Sequence, residues 1–259
     1  LPRESEDDTL NIRESFIAEE GYTLLCADYS QIELRVAAEL SQDPVMLNAF
    51  RNGIDLHALT AATVAGKALE NVTKEERQKA KALNFGLLFG LGVDKYIQYA
   101  KLSYGVNVTY DEADRSISTW RELYSRYREY QLAQAMEGET TLRVRTPMGK
   151  LRALDPGNTY GTAMNHPVQG GAAECMLFAL ICLNKMFTDN KLDARLVNCV
   201  HDEVVVEARE DLVEEVKQCI ETAMVNGFLR VFPNGIIRDL VEVGVGYSWA
   251  EAKKKPKKK

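Results

Sequence analysis

Residues 197–208 read VNCVHDEVVVEA, and the fold prediction depends on this stretch. Its valines are typical of a buried or half-buried β-strand. His201, Asp202 and Glu203 interrupt the valines, and a buried carboxylate without a partner is so unfavourable that it normally binds a proton or a cation. Two interpretations follow from the residues alone. The segment forms a tight β-turn capped by Asp202, or it forms a hairpin that presents a carboxylate to a cation.

Length and composition restrict the class of protein. The chain has 259 residues, of which 46% are hydrophobic and 27% are charged, as in an ordinary soluble protein of one large or two small domains. No apolar run approaches the ~20 residues of a membrane span, and residues 1–16 are too charged for a signal peptide. Five scattered cysteines without a CxxC motif predict reduced thiols in an intracellular protein. We expect the cytoplasm or nucleoid, with an organelle or the nucleus as alternatives.

The charge is unevenly distributed along the chain. Six of the 32 basic residues lie in KKKPKKK at residues 253–259, which leaves 26 basic against 38 acidic residues and a net charge of −12 for the body. We interpret the tail as a solvated nucleic-acid arm, a nuclear-import signal or an artificial addition. An acidic body argues against a broad nucleic-acid surface, so any such binding must depend on locally placed charges.

The hydrophobic patterns predict an α+β fold with a mostly helical insertion. Strands are predicted at residues 23–28, on both sides of the HDE turn and at 240–245, and a second hairpin is predicted at 141–145 and 149–154. Helices are predicted at residues 32–51, 55–64, 74–89, 110–134, 168–187 and 211–228. We expect the helix at 168–187 to be buried, and we expect core packing along one side of the helix at 110–134 by Trp120, Leu123, Tyr127 and Tyr130.

Two aspartates at predicted strand ends form the first candidate site. By itself, Asp28 is a common type of helix N-cap. If the strands that carry Asp28 and Asp202 are neighbours in one sheet, the two carboxylates converge. Mg²⁺ prefers one or two carboxylates, with water and substrate phosphates as its other ligands. Two such ions can promote an in-line phosphoryl displacement.

The second candidate site lies on the helix predicted at 74–89. Thr73 and Glu76 form a capping box that predicts where this helix begins. Arg77, Lys81 and Phe85 then follow on one face. Two cations followed by an aromatic ring suit the triphosphate and the sugar or base of a nucleotide. A solvated basic face whose phenylalanine enters the core is an equal alternative.

Taken together and in order, these segments resemble the three polymerase motifs of the family A DNA polymerases, the bacterial DNA polymerase I type. DYSQIELR at 28–35 resembles motif A, the R-x3-K-x3-FG pattern at 77–86 resembles motif B, and VHDE at 200–203 resembles motif C. Weaker resemblances are FIAEEG at 17–22, GIDLH at 53–57, NHPVQG at 165–170 and VEVGVGYSW at 241–249. The resemblance covers nearly the whole chain. It implies attack of a primer 3′-hydroxyl on a dNTP, with release of pyrophosphate.

The resemblance also implies a role for each matching residue. Asp28 and Asp202, with the Tyr29 carbonyl, would bind two Mg²⁺ ions, and Glu203 would lie close to the primer terminus. Lys81 would be the proton donor to pyrophosphate. The residues implied to contact the dNTP are Glu33, His57, Arg77, Lys81, Phe85 and Phe89. Glu33 would be the steric gate under the sugar 2′ position.

The residues implied to contact template–primer DNA are Asn165, Gln169 and His201. At three positions the sequence departs from the family pattern. Phe89, Gly161 and Cys199 stand where tyrosine, arginine and glutamine are common, and each change removes a polar contact to nucleic acid.

Only 27 residues precede Asp28, whereas the family's thumb and exonuclease-like domain lie upstream of motif A. The resemblance therefore implies an antiparallel-sheet palm at residues 1–50 and 160–252, helical fingers at 51–159 and the tail at 253–259. A missing upstream thumb and exonuclease region is a candidate partner. Two alternatives remain: a single-subunit RNA polymerase, against which Glu33 argues, and a thumbless, non-catalytic nucleic-acid-binding module.

Overall fold

The computed structural model describes residues 11–253; of the predicted tail at 253–259, all but Lys253 lies outside the described residues. The chain divides into two compact units. We call the residues up to Ile32 and from Ala173 onward the sheet unit, and residues 33–172 the helical unit. These divisions differ from the predicted domain boundaries, which lie at residues 50/51 and 159/160.

The described residues form ten α-helices and six strands. In chain order they are β1 (Tyr22–Tyr29), α1 (Ile32–Ser41), α2 (Pro44–Asn52), α3 (Leu56–Ala65), α4 (Lys74–Leu88), α5 (Val93–Tyr104), α6 (Tyr110–Leu123), α7 (Ser125–Thr141), β2 (Arg143–Arg145), β3 (Leu151–Ala153), α8 (Thr159–Asp189), β4 (Ala194–Val200), β5 (Glu203–Arg209), α9 (Val213–Val231), β6 (Val241–Gly246) and α10 (Trp249–Lys253).

The sheet unit contains a four-stranded antiparallel sheet in the order β4-β5-β1-β6. The two strands that carry the candidate carboxylates are therefore neighbours, with Asp28 of β1 directly opposite Glu203 of β5. Together with the ten α-helices of the described residues, this antiparallel sheet confirms the predicted α+β class.

Each face of the sheet is covered by a different element. On one face, Leu24, Cys26 and Val205 pack with Trp249 of α10. On the other, the Tyr29 hydroxyl donates a hydrogen bond to the Met224 carbonyl oxygen of α9 at 2.6 Å. The helix α10 lies so close to β6 that a Cβ on Gly244 would collide with the carbonyl oxygen of Ala252. A Cβ on a second glycine of β6, Gly246, would likewise collide with atoms of α10.

The helical unit has a core of aromatic side chains. Trp120, Tyr124 and Tyr127 are fully buried, which confirms core packing at two of the four positions predicted on the helix at 110–134; Leu123 and Tyr130 are half-buried.

Two long predicted helices are each divided in the structure. Residues 110–134 form α6 and α7, because Tyr124 leaves helical geometry (φ −108°, ψ 52°). Residues 32–51 form α1 and α2, since Gln42 has a positive φ of 53° and Asp43 caps α2 immediately before Pro44. Proline disfavours helical geometry in the residue before it, so Pro44 marks this boundary. The helix α5 was not predicted.

The helix α8 begins nine residues earlier than predicted and continues through Pro167. The expectation that it is buried is wrong along one side, where Leu177 and Ile181 are 56% and 57% exposed. By length and composition alone, α8 is long and apolar enough to cross a membrane. This is weak evidence for a span, since core helices of soluble proteins meet the same criteria.

Candidate functional site

The HDE segment forms a two-residue turn between β4 and β5. His201 has a φ of 56°, a conformation uncommon for a residue other than glycine, and it is exposed. The backbone N–H of Tyr29 donates to the carbonyl oxygen of Asp202 at 3.1 Å. The turn is tight, as the first interpretation expects, and it lies against the end of the strand that carries Asp28; the binding of a cation there stays a prediction.

Three carboxylates are grouped at this end of the sheet. Asp28 and Asp202 are half-buried, and Glu203 is 3% exposed. Burial raises the pKa of Asp202, and the charge of Glu203 raises it further. The backbone N–H of Asp202 and the charges of His201 and Lys253 lower this pKa in part. A cation at this position would stabilise the ionised form of Asp202.

The helix α10 binds the third carboxylate. The Trp249 indole N–H donates to Glu203 Oε1 at 2.6 Å, and the ammonium of Lys253 is ion-paired with Glu203 Oε2. Burial raises the pKa of the neighbouring Cys26 thiol to about 12, with a further contribution from the charge of Glu203. Sequence reasoning missed Lys253, because it was assigned to the solvated tail, and gave no role to Trp249.

The oxygen atoms at this end of the sheet suit a magnesium site in which the substrate supplies further ligands. Within residues 11–253, no group of three or more His, Cys, Asp or Glu side chains is arranged to hold a metal ion. Asp28 and Asp202 provide two carboxylates, with the Tyr29 carbonyl beside them in sequence. Mg²⁺ is commonly held by one or two carboxylates, with waters and phosphate oxygens as its other ligands, so these residues fit it.

In the helical unit, the predicted capping box of Thr73 and Glu76 begins α4. Arg77, one turn after Thr73, is ion-paired with Asp55: its Nη2 and Nε atoms lie 2.5 and 2.9 Å from Asp55 Oδ2. Burial raises the pKa of Asp55, but the hydrogen bonds and charge of Arg77 outweigh this and hold it below its ordinary value. Sequence reasoning missed Asp55, although GIDLH contains it.

His57 lies beside the same helix. Its Nδ1 atom is 2.9 Å from Asn84 Nδ2, and its ring centroid is 5.6 Å from that of Phe85. Burial lowers the pKa of His57 to about 4; Asp55 opposes the shift, and Arg77 and Lys81 add to it. The imidazole is therefore neutral at neutral pH. Asn84 was missed by sequence reasoning, although an amide among the apolar residues of ALNFGLL is itself a signal.

The remaining predicted dNTP residues also lie in the helical unit. Lys81 and Phe85 are half-buried on α4, and Phe89 is its C-cap residue. Glu33 is half-buried on α1. Burial raises the pKa of Tyr127, and the charge of Glu33 contributes to the shift.

The predicted DNA contacts lie on α8 and in the HDE turn. Gln169 is exposed, and Asn165 is half-buried with its Oδ1 atom buried and without a hydrogen-bond partner among the described residues. Gly161 lies one turn before Asn165, and a Cβ there would meet no atom within 4 Å. Cys199 is exposed on β4. The structure thus groups Asp28, Tyr29, Asp202 and Glu203 in the sheet unit and, separately, His57, Arg77, Lys81 and Phe85 in the helical unit.

Comparison with known proteins gives consistent results. Residues 1–251 match the sequence model of DNA polymerase family A. DNA polymerase I of Aquifex aeolicus is 39% identical over 83% of this chain and 37% of its own length. DNA polymerase I of Pseudomonas aeruginosa is 38% identical over 93% of this chain and 26% of its own length. The chain thus spans well under half the length of these curated relatives.

A solved structure is also similar over almost the whole chain. The POL domain of Pol1 from M. smegmatis, in complex with DNA primer-template and dNTP, matches with a TM-score of 0.86 and 30% identity. The match covers 97% of this chain and 44% of that one.

Proposed function

Because the chain belongs to DNA polymerase family A, we propose that it forms the core of a template-directed DNA polymerase acting in DNA replication or repair. It transfers a nucleotide from a dNTP to a primer 3′-hydroxyl and releases pyrophosphate. The observation that supports this most directly is the contact between the Tyr29 N–H and the Asp202 carbonyl oxygen, which joins the turn carrying Asp202 to the strand carrying Asp28.

Asp28 and Asp202, with the Tyr29 carbonyl, would hold two Mg²⁺ ions. When bound, such ions activate the attacking hydroxyl and stabilise the leaving oxygen of an in-line displacement. Glu203 is engaged by Trp249 and Lys253, so its contribution is to hold the hairpin in place. The exposed His201 lies in the same two-residue turn as Asp202, where it contacts the template–primer.

The helical unit binds the nucleotide. Arg77, Lys81 and His57 hold the triphosphate, and Lys81 donates a proton to the pyrophosphate leaving group. Arg77 must exchange or share its contact with Asp55 when it binds a phosphate oxygen. Phe85 and Phe89 pack against the nucleotide and the template base.

Two residues of α8, Asn165 and Gln169, contact the template–primer duplex in the minor groove, where acceptor positions are similar for all base pairs. Because its substrate would be DNA, we propose that the protein acts in the cytoplasm or nucleoid, with an organelle or the nucleus as alternatives.

Primer extension with Mg²⁺ tests the reaction. Extension by the chain should be lost in Asp28→Asn and Asp202→Asn, because an amide of the same shape loses the charge that attracts the metal. The control is Asp211→Asn, which alters an exposed acid of the same unit that pairs with Arg209. Extension at a near wild-type rate by Asp28→Asn or Asp202→Asn would exclude the two-metal assignment. Duplex binding without any extension by the wild type would favour a non-catalytic binding module.

Sugar selection distinguishes a DNA polymerase from an RNA polymerase. Glu33 fills the space of a 2′-hydroxyl, so only a ribonucleotide is penalised. Glu33→Ala should raise the ratio of ribonucleotide to deoxyribonucleotide incorporation by a large factor, whereas Glu39→Ala on the same helix should not. An unchanged ratio in Glu33→Ala would remove the main argument against an RNA polymerase.

A further inference from the structure

Asn84, a buried residue of α4, has hydrogen-bond partners at both the nitrogen and the oxygen of its side-chain amide. Asn84 is 1% exposed. Its Nδ2 atom lies 2.9 Å from His57 Nδ1 and 3.5 Å from the Leu56 carbonyl oxygen. Its Oδ1 atom accepts from Trp120 Nε1 at 2.9 Å. Thr60 Oγ1 also lies 2.9 Å from Oδ1, but its single proton has the Leu56 carbonyl oxygen, at 2.8 Å, as a second acceptor.

Two of these partners fix which way the amide points. The indole N–H of Trp120 can only donate, and the carbonyl oxygen of Leu56 can only accept. Rotating the amide of Asn84 by 180° would place its NH₂ group against the indole N–H and its oxygen against the carbonyl oxygen. Both contacts would be repulsive, and Asn84 is buried from the solvent that could relieve them. The NH₂ group of Asn84 therefore faces His57.

This orientation determines the tautomer of His57. An amide NH₂ group can only donate to an imidazole nitrogen, so Nδ1 of His57 is the acceptor and carries no proton. In the neutral ring the proton is then on Nε2. A second proton, on Nδ1, would face the NH₂ hydrogens of Asn84. Burial of the ring beside Arg77 and Lys81, which lowers the pKa of His57, favours the same neutral form.

We propose that Asn84 is a positioning residue for His57, and that it holds the imidazole in the Nε2–H tautomer so that a neutral ring donates a hydrogen bond to a phosphate oxygen of the dNTP. The part that concerns the dNTP rests on the proposed function. A neutral N–H adds a directional donor beside Arg77 and Lys81 without a third positive charge next to those two cations. Trp120 acts through Asn84, by holding its amide in the required orientation.

Nitrogen-15 NMR of the full chain, with ¹⁵N-labelled histidine, tests the tautomer directly. The chain has three histidines, so the His166→Gln and His201→Gln variants assign the His57 signals. At pH 7, we expect a protonated Nε2 and an unprotonated Nδ1. A proton on Nδ1 of His57 in the wild type would overturn the proposal.

Asn84→Asp tests the cause, because a carboxylate of the same shape can accept from His57 but cannot donate to it. The variant should protonate Nδ1 of His57. If Asn84→Asp does not fold, Trp120→Phe removes the N–H that orients the amide and should give a mixture of tautomers. Tyr124→Phe is the control, since the Tyr124 hydroxyl bonds to Thr60 and leaves the amide of Asn84 in place. A His57 spectrum unchanged by Asn84→Asp, or by Trp120→Phe, would overturn the proposal.

Kinetics separate the failure of this proposal from the failure of the proposed function. Asn84→Asp should change the KM for dNTP by about fivefold or more, as expected for two residues in one hydrogen-bond network, and by much less in a His57→Ala background. Equal changes in both backgrounds would reduce Asn84 to a structural role. If the NMR spectra are as expected but His57→Ala leaves the KM unchanged, the dNTP role of His57 is overturned while Asn84 still fixes its tautomer.

Discussion

Lys253 at the end of α10 forms an ion pair with Glu203 at the start of β5, although the two residues are 50 positions apart. The Glu203 carboxylate lies opposite Asp28 in the sheet, where two like charges would destabilise the pairing of the strands. Trp249 and Lys253 between them bind both of its oxygens. The C-terminal helix therefore stabilises the arrangement of carboxylates that the proposed reaction needs.

Replacing Lys253 by Met should lower the free energy of unfolding. Removing one partner of a buried ion pair typically costs 3–5 kcal/mol, but the Lys253 side chain is 42% exposed, so we expect about 1–3 kcal/mol. Urea unfolding measures the change. Lys185→Met is the control, because Lys185 pairs with Asp189 on the exposed end of α8 and should change stability much less than Lys253→Met. An equal loss of unfolding free energy in the two variants would show that the ion pair between Lys253 and Glu203 does not stabilise the fold.

The variant Asp202→Asn should stabilise the fold while it abolishes primer extension. Burial raises the pKa of Asp202, so the folded protein disfavours the ionised carboxylate, and an amide removes that penalty at pH 7. The gain should shrink as the pH falls from the raised pKa of the folded state towards the ordinary value of 3.8, and it should be lost below 3.8, where both folded and unfolded chains protonate the acid. Thermal unfolding at several pH values measures this. A lower midpoint than wild type at pH 7 would contradict it.

His57 should contribute to acid sensitivity. Its pKa falls from 6.5 to about 4 on folding, chiefly because the ring is buried. Above pH 6.5, the ring is neutral in both folded and unfolded chains. Between pH 6.5 and 4 the unfolded chain binds the proton more readily, so the free energy of unfolding decreases as the pH falls. His57→Gln should weaken this decrease, measured by urea unfolding at pH 7, 6, 5 and 4. Parallel pH profiles for the wild type and His57→Gln would show that the pKa of His57 does not fall on folding.

The sequence allowed much of the sheet to be predicted, because its signals are local. Five valines around a polar turn indicate β4 and β5, and the resemblance connects their turn to Asp28. The capping box indicates where α4 begins. One local signal was overlooked: Pro44, which divides residues 32–51 into two helices.

Contacts between distant side chains could not be predicted in this way. Lys253 follows the pattern of a solvated lysine tail, and only the packing of α10 against β6 brings it to Glu203. Arg77 was predicted from its spacing on α4, but its partner Asp55 lies 22 residues earlier on another helix. The role of Asn84 follows only from its contacts with Trp120 and His57. Hydrophobic period and helix caps determine elements, whereas these pairs depend on how the elements pack.

The last prediction concerns Gly161, where arginine is common in the family. The position lies on α8 and has open space for a side chain, since a Cβ there would meet no atom within 4 Å. Gly161→Arg should stabilise the helix by less than the ~0.5–1 kcal/mol expected in a helix interior, because the position lies in the first turn of α8, where a cation opposes the helix dipole. The added cation should also strengthen template–primer binding by neutralising one more phosphate. A plot of log affinity against log salt should therefore become steeper by about one unit.

Gly161→Gln is the matched control for this change. Glutamine has a similar helix propensity but no charge, so it should give the gain in stability without the steeper salt dependence. Fluorescence anisotropy with a labelled template–primer, repeated over a range of salt concentrations, measures the slope for wild type and both variants. The same slope for Gly161→Arg and Gly161→Gln would show that this face of α8 does not meet the DNA backbone. It would also argue against the roles proposed for Asn165 and Gln169, which follow on the same helix.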